Sequence, residues 1–100
     1  MIDVEKSGDM TVITPESDVI ADKVPTLRNE VLNEIKKTKK LVIDMAHVSM
    51  IDSSGIGILI SAQNTLKPEG GALEVINVSE DIIRMFKIMR LDKHFSVTGR

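Results

Sequence analysis

Apolar and polar residues alternate at the start of the chain, with Ile2 and Val4 and then Met10 and Val12 each separated by one polar position. A period of two marks half-buried strands. Ser7-Gly8-Asp9 between them supplies turn chemistry, so the pattern predicts a hairpin of residues 2–6 and 10–14. Pro15-Glu16-Ser17 ends it, and Asp18-Val19-Ile20 reads as a short edge strand or a loop. The period then lengthens. Val24, Leu27, Val31 and Ile35 make one helical stripe, flanked by Leu32. They predict a helix over about 23–37, with Asp22 able to cap it and Pro25 tolerated in its first turn.

Leu41 to Met45 is nearly all apolar and too short for a helix, so it reads as a central strand. A helix is predicted from near Ser54 to near Leu66, where Pro68 and Gly70-Gly71 stop it. On a 100° wheel Ile56, Leu59, Ile60 and Leu66 share one face and Ile58 falls opposite. Ile58 is therefore expected to face outward or toward a neighbouring helix, as a candidate docking contact. Leu73 to Val78 is a second strong strand. Ser79 is expected to cap a helix over about 80–89, with Glu80 and Asp81 in its first turn and Ile82, Phe86 and Met89 as its stripe. Ser96-Val97 closes the pattern as a last short strand. The order β-β-α-β-α-β-α-β demands parallel neighbours joined by right-handed crossovers. The predicted class is α/β: a mixed sheet of four to five strands, an N-terminal antiparallel hairpin, and helices packed over the sheet.

Composition narrows the possibilities. One hundred residues suit a single domain, and 42% hydrophobic residues suit a packed core. With only Phe86 and Phe95 as aromatics, that core must be aliphatic, with six methionines as adaptable filler. A net charge of −2 and the scarcity of aromatics argue against a nucleic-acid partner. Disulfides are excluded because there is no cysteine. The first residues carry no signal-peptide pattern, and no apolar run approaches the roughly 20 residues of a membrane span. A cytoplasmic domain is expected, with no membrane partner. Lys36, Lys37, Lys39 and Lys40 are explained by a helix C-terminus more simply than by an anionic partner.

The chemistry concentrates where the central strand becomes a helix, at Asp52-Ser53-Ser54. A helix N-terminus has unpaired N–H groups and a partial positive charge, so it takes Asp or Ser as a cap and also seats a phosphate. On spacing alone the group is either a cap or a phosphoacceptor serine. Catalysis is poorly supported. His47 and His94 have no ligand spacing to another His or Cys, and a Ser53-His47-Asp44 triad would lack a nucleophile elbow. Gly55-Ile56-Gly57 lacks the rest of a dinucleotide fingerprint. No metal or cofactor is expected, and the chain does not read as an enzyme.

Met50-Ile51-Asp52-Ser53-Ser54-Gly55-Ile56-Gly57 resembles the hallmark of STAS domains, the fold of the anti-sigma factor antagonists. The similarity runs from about Met10 to Val97. It implies that Ser53, directly after the Asp, is phosphorylated by a partner kinase. It also implies a partner-binding face of Asp18, Asp22, Asp52, Ser53, Ser54, Gly55, Ile56 and Ile58. The implied partners are an anti-sigma factor that is also a serine kinase of the GHKL ATPase type and a PP2C-type phosphatase, with the chain a monomer or weak dimer. One segment departs from the family. Where many antagonists carry Gly-acidic-apolar-Asp before the first helix, this chain has Ser17-Asp18-Val19-Ile20, with Asp22 two residues on. An alternative is a stand-alone STAS scaffold in a chemotaxis-like or stressosome-like assembly.

Overall fold

The computed structural model describes residues 2–100. In chain order it contains β1 (Ile2–Ser7), β2 (Met10–Pro15), α1 (Val24–Ile35), β3 (Lys40–Asp44), α2 (Ser53–Leu66), β4 (Ala72–Val78), α3 (Glu80–Ile88) and β5 (Ser96–Gly99). Short 3-10 turns at Ala21–Lys23, Lys67–Glu69 and Leu91–Lys93 connect them. One sheet holds all five strands in the order β1-β2-β3-β4-β5. The β1–β2 pair is antiparallel and every other pair is parallel. The predicted class and hairpin are therefore observed, with five strands.

Three consecutive right-handed crossovers in one direction place all three helices on one face of the sheet. That face carries Ile13, Leu41, Ile43, Leu73 and Val75, each at most 1% exposed. Val24, Leu27, Val31 and Ile35 of α1, Leu59 and Leu66 of α2, and Ile82 and Phe86 of α3 close over it. Phe86 meets Phe95 edge to face, with ring centroids 6.1 Å apart. The opposite face has no helix, yet Val42 on it is buried. There Glu74, the register partner of Val42, pairs with Lys40 at 2.7 Å, and the aliphatic stems of such long side chains cover apolar surface. No helix among the described residues is long and apolar enough to cross a membrane.

Several boundaries and facings differ from the sequence reading. Asp22 does not cap α1. It lies in the 3-10 turn before the helix, whose N-cap is Lys23 with no side-chain hydrogen bond. The helix ends at Ile35, before the lysines, and Leu32 is 59% exposed. Met89 falls just past the end of α3 and is half exposed, while Met85 packs against the core instead.

The larger correction concerns α2. Ile58 is buried and Ile60 is exposed, whereas the wheel put Ile60 on the core face and offered Ile58, if outward, as a docking contact. For Ile58 the neighbouring helix is the alternative observed, and the misplaced residue is Ile60. In the fold α1 lies alongside α2, and Ile58 with Ala62 faces Val31 and Ile35 across that contact. The buried arc is thereby rotated toward α1, and Ile60 is carried out of the core.

Candidate functional site

The loop from β3 to α2 is held to the loop from β2 to α1 by a short parallel bridge, Val19 to Ile51. The Val19 N–H donates to the Met50 carbonyl at 3.0 Å, and the Asp52 N–H to the Val19 carbonyl at 3.2 Å. Asp18 reinforces this bridge, since its Oδ1 accepts from the N–H groups of Ser49 and Met50 at 2.8 and 3.0 Å. The Asp18 side chain thus has a structural task at the site, whatever else it meets. Residues 18–20, read from the sequence as a short edge strand or a loop, are a loop that pairs through one bridge at Val19.

Asp52 is the N-cap of α2, with extended backbone. Its Oδ1 accepts from the Gly55 N–H at 3.0 Å and from the Ser54 hydroxyl at 2.6 Å. Its Oδ2 accepts from the Ala21 N–H at 2.8 Å, across to the other loop. Ala21 has a positive φ of 34°, a conformation that costs an alanine free energy, and the carboxylate is what its N–H meets there. The Ser54 hydroxyl, then the Ala21 and Gly55 amides, hold the Asp52 carboxyl down at about 2. Charge-assisted hydrogen bonds favour the ionised form in this way.

Gly55 shows why the motif has a glycine. A Cβ there would lie 2.6 Å from the Val19 carbonyl oxygen and 2.8 Å from side-chain carbons of Val19 and Ile51. The close approach is internal, between helix and loop. Gly55 and Ile56 are both buried, so with Ile58 they lie beneath the exposed side of the helix. The surface is made by the other side of the helix. Ser53, Gly57, Ile60 and Asn64 are all exposed and recur at helical spacing, so they form one outward stripe. Met50, 59% exposed, lies just before it.

Ser53 heads that stripe at the first position of α2. Its hydroxyl forms no hydrogen bond to the described residues, whereas that of Ser54 is tied to Asp52. The Asp52 carboxylate therefore orients Ser54 and not Ser53. Ser53 is bonded to neither His47 nor Asp44, and the Asp44 Oδ1 instead accepts from the Ala46 N–H and the Asn77 amide. The geometry offers an exposed hydroxyl at the positive end of a helix dipole, suited to receiving a phosphoryl group.

Three participants were not evident from the sequence. Ala21 carries no side-chain chemistry and enters only through its N–H. Asn77, one residue before the end of β4, has φ 55°, a conformation asparagine tolerates. Arg100 lies beyond β5, and its guanidinium reaches the β3–α2 loop. There Nη2 donates to the carbonyls of Met45, Ala46 and Val48 at 2.9–3.0 Å, and Nε to that of Asn77 at 3.0 Å. Only pairing across 23 to 55 residues reveals these contacts, and no local spacing signals them.

Known proteins share this fold. The anti-sigma-B factor antagonist of Bacillus subtilis is 25% identical over 99 residues, which span 99% of this chain and 91% of that protein. Among solved structures, an anti-sigma factor antagonist of Thermotoga maritima superposes with a TM-score of 0.90 at 17% identity, covering 99% of this chain and 86% of that one. The phosphorylated form of the Bacillus cell fate determinant SpoIIAA superposes with a TM-score of 0.77 at 18% identity, covering 97% and 90%. These likenesses establish the fold. Residues 1–99 match the STAS domain as a family, and the chain belongs to that family.

Proposed function

We propose that this chain is an anti-sigma factor antagonist, a protein-interaction domain switched by phosphorylation of Ser53. The observation that carries the reading is the division of labour at α2. Asp52 and Ser54 are committed to each other, and of the two serines that open the helix it is Ser53 whose hydroxyl is exposed and uncommitted. Unphosphorylated, the chain docks the outward stripe of Ser53, Gly57 and Ile60, with Met50 beside it, onto an anti-sigma factor that is also a GHKL-type serine kinase. Docking releases the sigma factor. ATP and the catalytic groups belong to the kinase, so this chain is substrate and switch, at work in the cytoplasm.

Phosphorylation adds about −1.5 to −2 charges. At a helix N-terminus the fold accepts that charge, so the effect falls on the interface through repulsion and desolvation. A PP2C-type phosphatase resets the switch. Ile20, standing where the family pattern has Asp, favours a second reading, a STAS scaffold in another bacterial signalling assembly that docks through the same face without being phosphorylated.

Titration calorimetry of the chain against its cognate anti-sigma factor tests the proposal. Ile60→Lys should weaken binding about tenfold or more while the free protein melts nearly as before, since exposed substitutions usually stay within about 0.5 kcal/mol. Ile58→Lys should instead cost several kcal/mol of stability, on the order expected for an unpaired charge forced into a core. Unchanged affinity in a well-folded Ile60→Lys would place docking elsewhere.

A further inference from the structure

We propose that Arg100 is a positioning residue for the Ser53 switch, an inference that rests on the function proposed above. The turn at residues 45–48 lies between a strand and a helix, and its carbonyls have no ladder to join. Three of them, of Met45, Ala46 and Val48, converge on one guanidinium nitrogen at 2.9–3.0 Å. The Asn77 carbonyl, delivered by a left-handed residue, meets Nε of the same group. Four carbonyl oxygens drawn together repel one another and need donors. A guanidinium offers five N–H groups in a fixed plane together with a full positive charge. Nη2 has two hydrogens for three acceptors, so they are shared, and the positive charge supplies the rest of the attraction.

The clamp reaches Ser53 through a chain of hydrogen bonds and backbone pairings. Asp44 braces the turn from the other side, through the Ala46 N–H and the Asn77 amide. Inside the turn the Val48 N–H donates to the Met45 carbonyl at 3.0 Å, the same carbonyl that Arg100 holds. The next two amides, of Ser49 and Met50, are those that Asp18 accepts, and Ile51 and Asp52 then pair with Val19 and Ala21. From Arg100 to the start of α2, Met45, Ala46, Val48, Ser49, Met50, Ile51 and Asp52 are each held by a named contact. Loss of the cation frees the 45–48 carbonyls to turn to water and lets the approach to Ser53 populate other arrangements. A partner then meets the docking geometry only part of the time, and apparent affinity falls by that fraction.

This predicts a specific kinetic split. With the cognate serine kinase and ATP, Arg100→Gln should raise KM for the chain about three- to tenfold and leave kcat near wild type, because a docked chain is already in the right geometry. Arg100→Lys keeps a cation over the three carbonyls and should recover most of the loss. Independently of any kinase, amide hydrogen exchange at Val48, Ser49 and Met50 should accelerate about tenfold in Arg100→Ala, with Leu41 to Ile43 unchanged. About 20 mM guanidinium chloride, but not the same concentration of sodium chloride, should slow it again as the free cation refills the site. Exchange at residues 48–50 that matches wild type in Arg100→Ala overturns the clamp. Faster exchange with unchanged KM shows the clamp to be structural only and overturns the positioning role. A wild-type chain that its kinase does not phosphorylate refutes the functional reading instead, and leaves the exchange measurement to judge the clamp.

Discussion

Two helices of this domain open on a side-chain cap, and they begin differently. At α3 the cap is Ser79, whose hydroxyl accepts from the Ile82 N–H at 3.3 Å. Glu80 and Asp81 fill the first turn with negative charge, and the third position is a buried isoleucine in the core. At α2 the cap is Asp52, the first two positions are neutral serines, and the third is Gly55 pressed against Val19. The start of α3 is finished, with its hydroxyl and its dipole both served by its own residues. The start of α2 has its cap supplied by a carboxylate, and this leaves a serine hydroxyl free. Its first turn lacks an acidic residue, so the dipole can take a negative charge that arrives later. A phosphorylation switch needs that incompleteness.

The largest effects should come from the third helical positions. Gly55→Ala adds a methyl at 2.6 Å from a backbone oxygen and should cost about 3 kcal/mol, as overpacking does. Ile82→Ala removes a buried side chain and should cost a similar amount, about 3 kcal/mol, by leaving a cavity. The two differ in where the damage lies. Hydrogen exchange at the Val19 and Asp52 amides should quicken well beyond the global change in Gly55→Ala and only in step with it in Ile82→Ala. Equal behaviour of the two would mean that the loop pair and α2 are not coupled through Gly55.

The caps come next. Ser79→Ala should cost about 1 kcal/mol, the usual value for a lost serine cap. Asp52→Ala should cost more, because it also frees the strained Ala21 and its N–H. Only the Asp52 contribution should respond to acid. Its carboxyl sits at about 2 when folded against 3.8 for the ordinary group. A lowered folded value means that the contribution is fully present above the unfolded value and lost as pH falls through the folded one. The melting-temperature gap between wild type and Asp52→Asn should therefore hold at neutral pH and narrow as pH is lowered from about 4 to about 2. A gap unchanged across that window would show that the hydrogen bonds to Ser54, Ala21 and Gly55 do not favour the ionised form.

The smallest effect on stability is expected from Ser53→Asp. A carboxylate in the first turn is worth roughly 0.3–1 kcal/mol in favour of the helix at exposed sites, offset in part by the neighbouring Asp52. Melting temperatures should stay close to wild type while partner binding weakens. A large drop would mean that the switch acts by unfolding the start of α2.

Much of this was legible because strands and caps are local. The hairpin, the strand from Leu41, both long helices and the Asp-Ser-Ser helix start follow from period and residue type over a few neighbours. The exposed face of α2 was not, because a helical wheel knows only its own helix. Ile58 and Ile60 are equally apolar, and only the presence of α1 alongside decides which is covered. The two loops were opaque for the same reason. Asp18 reads as a surface carboxylate until residues 49 and 50 are brought to it, and Asp52 reads as an ordinary cap until Ala21 arrives 31 residues away.

The contrast between a committed and an uncommitted hydroxyl is tested most directly by locating the phosphate. The chain is incubated with its cognate serine kinase and ATP, digested, and sequenced by tandem mass spectrometry, with Ser53→Ala and Ser54→Ala alongside. The account predicts phosphate on Ser53 in wild type and in Ser54→Ala, and none in Ser53→Ala. Phosphate on Ser54, or labelling that persists in Ser53→Ala, would contradict it.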